Sequence, residues 1–250
     1  MFKIITSLAM FFTALVTSGQ VTETRNVSTF NKIEIADGVE VIFTQSPQTS
    51  LKAEASDALG LSTLLTQTDG KTLKISCNGN MCESVKVYLS APEILAIKAT
   101  SASKVVFTDK IDTRKLNLSL AAGSTFRGIV KSEGAVNLKG KSGSVFNIRV
   151  DSKSLSGNFQ SGAKVNLSGT SGDVAIHTAD DALCNARNFR TENVSVKAGG
   201  NSSVQISVKD AIAVDVAGEA TVAYFGLPET AVLNPEAVIV SNQRTSVTQN

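Results

Sequence analysis

The chain between Leu95 and Tyr224 repeats itself about every twenty residues, and it does so seven times. One column of inward apolar positions reads Leu95/Ile97, Leu116/Leu118, Val136/Leu138, Leu155/Gly157, Val174/Ile176, Val194/Val196 and Val214/Val216. A second reads Val105/Phe107, Phe126/Gly128, Phe146/Ile148, Val165/Leu167, Cys184/Ala186, Val204/Ile206 and Val222/Tyr224. The columns stand ten residues apart in the first six repeats and eight apart in the last. Two residues before each second-column pair sits a small side chain: Ser103, Ser124, Ser144, Ala163, Ala182, Ser202 or Ala220. A period of this length with few helix signals marks stacked coils, because one coil cannot bury its apolar face alone.

Each pair brackets a residue that must point the other way on a strand. In the first column these are Ala96, Asn117, Asn137, Ser156, Ala175, Ser195 and Asp215; in the second, Val106, Arg127, Asn147, Asn166, Asn185, Gln205 and Ala223. Most are small or polar, as an outer face requires. Stacked on its equivalent, each short segment becomes one rung of a parallel sheet. The small column fits a tight corner, and Gly123, Gly143 and Gly162 precede it as a turn position favours. A third strand per coil is suggested only by Ile111, Val150 and Phe189. A β-sandwich also recurs in strands and turns, but it does not predict a seven-fold register in one chain. The expected fold is therefore all-β, a parallel β-solenoid with coils of about twenty residues over 95–226.

The segment 20–94 is richer in turn dipeptides and less regular. Asp37-Gly38 joins two alternating stretches, Asp69-Gly70 reads as a hairpin turn, and Ser56–Leu65 is the one helical candidate. This portion either caps the first coil or adds coils of its own. The tail 227–250, with Pro228 and Pro235, is the candidate cover for the other end. Residues 1–19 read as a signal peptide: Lys3 supplies the positive start, Ile4–Val16 the apolar run, and Thr17-Ser18-Gly19 a small-residue cleavage site. The apolar run is shorter than the ~20 residues that span a bilayer. The mature chain is thus expected outside the cytoplasm, with no stable membrane span. That compartment permits disulfides. Cys77 and Cys82 flank the turn-like Asn78-Gly79-Asn80-Met81, which fits a bridge across the loop; a metal or redox pair is the competing reading, with no His or third Cys nearby. Cys184 takes a core position in the second column and reads as a buried free thiol.

The run FNKIEIADGVEVIFTQ, then DGKTLKIS, then VKVYLSAPEILAIKATSASKVVF, followed by short alternating strands, resembles the putative auto-transporter adhesin, head GIN domain family over roughly Val21 to Gly226. The resemblance implies an extracytoplasmic, right-handed β-solenoid of Bacteroides-like bacteria with a strand-rich N-terminal portion. It brings no catalytic residues. The last coils, GNSSV and GEATV, and the tail LPETAVLNPEAVIVSNQ depart from the Gly-Ser-rich turns such proteins carry there.

Candidate chemistry is sparse. Trp is absent, His occurs once, and charged residues make up 18% of the chain, with a formal net charge of +2 and no basic stripe for nucleic acid. Glycoside hydrolysis needs two facing carboxylates. Asp180-Asp181 near His177 is the nearest pair, and it falls in a turn; Asp109 and Asp112 fall in another. The outward charges do not stack into one acidic or basic column over successive coils. Sugar platforms need exposed aromatics, yet Phe107, Phe126 and Phe146 fall in the inward column, and Tyr88 and Tyr224 read as structural. No nucleophile elbow, zinc-protease or phosphate-loop motif is present. The expectation is a non-catalytic adhesion or scaffolding protein with no cofactor or metal, whose partner is an envelope protein or a glycan. A carbohydrate-binding or polysaccharide-processing β-helix is the alternative.

Overall fold

The computed structural model describes residues 20–79, 82, 84–234 and 238–242. The leader 1–19 lies outside them. Nineteen strands and one short helix are present among the described residues, and the strands stack into a β-solenoid.

Each regular coil has three strand segments. The first carries the first apolar column: Leu116–Leu120 pairs in parallel with Ala96–Ala99 on one side and Ala135–Gly140 on the other. The same stack continues through Leu155, Val174 and Val194 in the long strands Val145–Phe159, Lys164–Thr178 and Leu183–Ala198. The second segment stacks Val105, Phe126, Phe146, Val165, Cys184, Val204 and Val222 in register. Between them lies a two-residue turn with both φ angles positive, as at Ala122 (49°) and Gly123 (72°). Ser124 N donates to Ala121 O at 3.2 Å, closing a type I′ turn. Turns also bond upward: Gly123 N donates to Ser142 O, and Gly143 N to Ser161 O. The small column sits directly after these turns and is buried throughout, from Ser103 at 0% to Ala220 at 3% exposure.

The third segment was the least legible in sequence. Ile111, Val130, Val150, Gly169 and Phe189 align rung by rung. Beside them runs an inward polar column, Thr113, Ser132, Ser152, Ser171 and Thr191, which interrupts the hydrophobic pattern. Its hydroxyls are satisfied at the bend: Thr113 Oγ1 donates to Ile94 O at 2.9 Å, and Thr191 Oγ1 to Ser207 O at 2.7 Å. Buried polar groups persist when so paired.

One register expectation is corrected. Val194 pairs with Ile212 and Val196 with Val214, so the seventh first-column pair is Ile212/Val214, not Val214/Val216. The spacing to Val222 is then ten residues, as in the other coils. The stretch Ile212-Ala213-Val214-Asp215-Val216 offers three inward side chains, so alternation alone leaves a slip of two open; the hydrogen-bond ladder decides it. At the other end Leu95 is only half-buried, while Ile97 and Ala99 are core.

The N-terminal residues both add coils and cap them. Lys32–Ile35 and Glu40–Gln45 form a coil whose strands pair in parallel with Ala96–Ala99 and Lys104–Thr113. On its far side lie Thr72–Cys77 and Lys86–Ala91. The first coil in sequence is therefore inserted between the second and the third. Beyond it the parallel stacking stops: Leu64–Asp69 runs antiparallel to Thr72–Cys77, Ser50–Ala55 to Lys86–Ala91, and Val21–Arg25 to Ser50–Ala55. Helix Ala58–Thr63 is capped by Asp57, which accepts from Gly60 N at 2.8 Å. Arg25 donates to Leu61 O and Leu64 O at its C-terminal end. Covering edge strands in this way blocks further pairing. At the opposite end Thr230–Leu233 and Val238–Asn242 continue the ladder on Ser203–Val216 and Thr221–Phe225. The described part of the tail thus adds rungs to the stack.

One core cluster runs from Phe30 to Val222. Phe43, Phe107 and Phe126 stack along it with centroids 5.3 and 4.9 Å apart, and Phe146 meets Phe159 at 5.7 Å. Such pairs each contribute about 0.5–1.5 kcal/mol beyond burial.

Cys77 and Cys82 are joined, with Cα atoms 6.1 Å apart. The loop they close is tied to the first coil's turn, since Cys82 N donates to Asp37 O and Cys77 N to Asp37 Oδ2. A bridge over so short a loop is worth about 2 kcal/mol in the chain-entropy model. Dithiothreitol, or paired Cys77→Ser and Cys82→Ser substitutions, should lower the melting temperature by about 4–8 °C. An unchanged melting temperature would show that the bridge does not form in solution.

Candidate surface groove

The outward side of the first face changes along the solenoid. Towards the N-terminal end its central column holds Lys32, Ala96, Asn117 and Asn137. From there the side chains become short: Ser156, Ala175, Ser195 and Ala213, then Val232. Where outward side chains shrink over successive rungs, the surface dips. A groove of about 540 Å³ lies there, lined by these residues and by Leu155, Val174, Val194 and Ile212 behind them. Rungs are about 4.8 Å apart, so the five steps from Asn137 to Val232 span roughly 24 Å.

Two rims flank this floor, each two residues along the strand. On one side stand Asp173 and Asn193, with Asn193 Nδ2 donating to Asp173 Oδ1 at 3.0 Å. Just beyond them lie Glu192, Asp210 and Glu229. Glu229 N donates to Asp210 O at 2.9 Å, which places these two on adjacent rungs. Lys209 Nζ meets Asp210 Oδ1 at 3.1 Å, and that hydrogen bond chiefly raises the lysine pKa; Glu192 and Glu229 lie close enough to add to the shift. Lys209 is fully exposed to solvent, so the pair stabilises the fold little. The other rim carries Asn158, His177, Lys197 and Asp215 on successive rungs. By register the near column runs Asp173, Asn193, Ala211 and Thr230, so neither outward column carries one sign of charge over successive rungs. The two-residue slip in the seventh coil puts Asp215 on the floor, where Ala213 stands.

The chemistry candidates from sequence are not brought together. Asp180 and Asp181 have φ of 50° and 63° and occupy the same type I′ turn as Ala122-Gly123. Asp180 O accepts from Gly162 N at 2.8 Å. His177 is an exposed member of the far rim. Asp109 accepts from Thr108 Oγ1 at 3.0 Å, and Asp112 pairs with Lys110 at 3.5 Å. Among the described residues no group of three or more His, Cys, Asp or Glu is placed to hold a metal ion. Phe107, Phe126 and Phe146 are buried, and Tyr88 reaches Glu54 Oε2 at 3.5 Å. Cys184 is buried, and burial pushes its thiol up to about 12, so it stays protonated at neutral pH. Phe225, half-buried, lies under the Arg187 guanidinium at 4.5 Å. The groove itself had a faint signal in the shrinking sizes of Ser156, Ala175 and Ser195.

The family model described as putative auto-transporter adhesin, head GIN domain, matches residues 29–228. None of the curated proteins matches by sequence. Among solved structures, a putative adhesin from Parabacteroides distasonis superposes with a TM-score of 0.78 at 12% identity, covering 89% of this chain and 97% of that one. A putative lipid binding protein from the same organism gives 0.73 at 13%, covering 90% and 97%. A putative adhesin from Bacteroides fragilis gives 0.66 at 18%, again covering 90% and 97%. At these identities the likeness is one of fold. Among the described residues no helix is long and apolar enough to cross a membrane.

Proposed function

The chain belongs to the putative auto-transporter adhesin, head GIN domain family, and from that premise we propose that it is a non-catalytic, extracytoplasmic adhesion or scaffolding protein whose contact face is the groove on the first face. The observation that carries this reading is the groove's construction. Small side chains recur on consecutive rungs of a hydrogen-bonded stack, so the surface is preorganised and little ordering accompanies contact. The floor is largely apolar, while Asn193, Ser195 and Asn137 offer polar contacts along its length. A rigid face of this kind suits a partner that lies along the solenoid axis.

Filling the groove tests the assignment. Ser195 is exposed and its side chain points away from the core, so Ser195→Trp should leave the melting temperature within about 2 °C. In a strain lacking the gene, wild type should restore surface attachment and Ser195→Trp should not. Deletion that leaves both attachment and envelope integrity unchanged would refute the reading.

A further inference from the structure

We infer that Asn78 is a self-modification site: the Gly79 amide nitrogen closes on its side chain, expels ammonia and leaves an aspartyl or isoaspartyl residue there. Asparagine is among the chemically labile side chains, and Asn78-Gly79 is the one Asn-Gly pair in the sequence. Ring closure needs an exposed side-chain amide, a following N–H that is free to attack, and room for the chain to fold over. All three meet here. Asn78 and Gly79 are both exposed. Among the described residues neither the Asn78 side chain nor the Gly79 N–H has a hydrogen-bond partner. Gly79 has φ of +103°, and nothing lies within 4 Å of the place a Cβ would take. A glycine also lets the chain pass through conformations that other residues resist.

Other asparagines lack one of these conditions. Asn201 is exposed and precedes a small residue, but Ser202 is 1% exposed and its N–H donates to Gly199 O at 3.3 Å. Asn147 and Asn166 lie mid-strand, followed by Ile148 and Leu167 inside the parallel ladder. At Asn78 the step balances without oxidant or reductant. Gly79 N gives its proton to solvent and bonds to Asn78 Cγ, while the Cγ–Nδ2 bond breaks and that nitrogen leaves as ammonia. The five-membered succinimide then takes up one water. Opening at Cγ gives aspartate. Opening at the main-chain carbonyl gives isoaspartate, whose main chain runs through Cβ. Either product carries one added negative charge. Asn78 lies between the joined Cys77 and Cys82, whose N–H groups are both held by Asp37, so the altered stretch stays tied to the first coil. The change needs no enzyme and accumulates with the age of each chain.

Peptide mapping by mass spectrometry tests this on the folded, oxidised protein stored in warm neutral buffer. The peptide carrying Asn78 should gain about 1 Da at that residue, the difference between an amide and a carboxyl group. An isoaspartyl methyltransferase should label the stored protein and not the fresh one. Conversion at Asn78 should run at least about tenfold faster than at Asn201, whose following N–H would first have to give up its hydrogen bond. Asn78→Gln should remove the methyltransferase label, because glutamine would have to close a six-membered ring. Its melting temperature should stay within about 2 °C of wild type, since the side chain is exposed. Three results would overturn the assignment: no gain at Asn78 in the folded chain, conversion at Asn201 that keeps pace with it, or labelling unchanged in Asn78→Gln. A gain at Asn78 only after unfolding in urea belongs with the first of these and would show that the fold shields the pair.

Discussion

Val165→Asp should lower the melting temperature by more than about 10 °C, or leave the chain unfolded, while Asn166→Asp should shift it by no more than about 4 °C. The two residues are neighbours on one strand and differ in the face they present. Val165 is 2% exposed and is stacked between Phe146 below and Cys184 above. Removing it forfeits about 1.5–3 kcal/mol of buried apolar side chain. An aspartate there would lie among Phe146, Leu167 and Cys184 with no cation to meet it, and the combined cost exceeds about 4 kcal/mol. Asn166 points outward, and its Nδ2 donates to Asn147 Oδ1 at 2.9 Å. The aspartate loses that donor and sets a carboxylate beside an amide oxygen, a cost of about 1 kcal/mol at an exposed site. Thermal unfolding followed by far-ultraviolet circular dichroism measures both. Equal shifts would mean that the inward and outward faces are wrongly assigned.

Most of the architecture could be read from two apolar columns because period-two alternation within a twenty-residue period leaves little freedom. Phe126, Phe146, Val165 and Cys184 align in sequence and in space. What stayed hidden has physical causes. The third column is broken by Gly169 and accompanied by buried hydroxyls such as Ser171 and Thr191, which look like surface residues until their bonds at the bends are seen. The seventh coil slipped by two residues because Ile212, Val214 and Val216 are equally apolar. That slip concealed the groove, whose floor needs Ala213 in line with Ser195. The insertion of the Lys32–Gln45 coil between two later ones left no local trace, since pairing order is a non-local property that alternation does not encode.

Gly169→Ala should be among the most damaging methyl groups that could be added to the third face. Gly169 has φ of +109°, a region side chains rarely adopt, and a Cβ there would overlap Val150 O on the adjoining rung. Val150 and Gly169 are paired, so relief requires the two strands to separate at that rung. Backbone strain of about 1–3 kcal/mol and the loss of the rung's packing together exceed about 3 kcal/mol. Gly143→Ala supplies the control. Gly143 also has a positive φ, +71°, but nothing lies within 4 Å of the added carbon, because its turn faces solvent. It should cost only the left-handed penalty of about 1–2 kcal/mol. Urea unfolding of the two variants separates the contributions: the excess for Gly169→Ala measures how closely one rung is pressed against the next. If both lost the same stability, close approach at the third face would add nothing, and the glycine would be there for its dihedral angle alone.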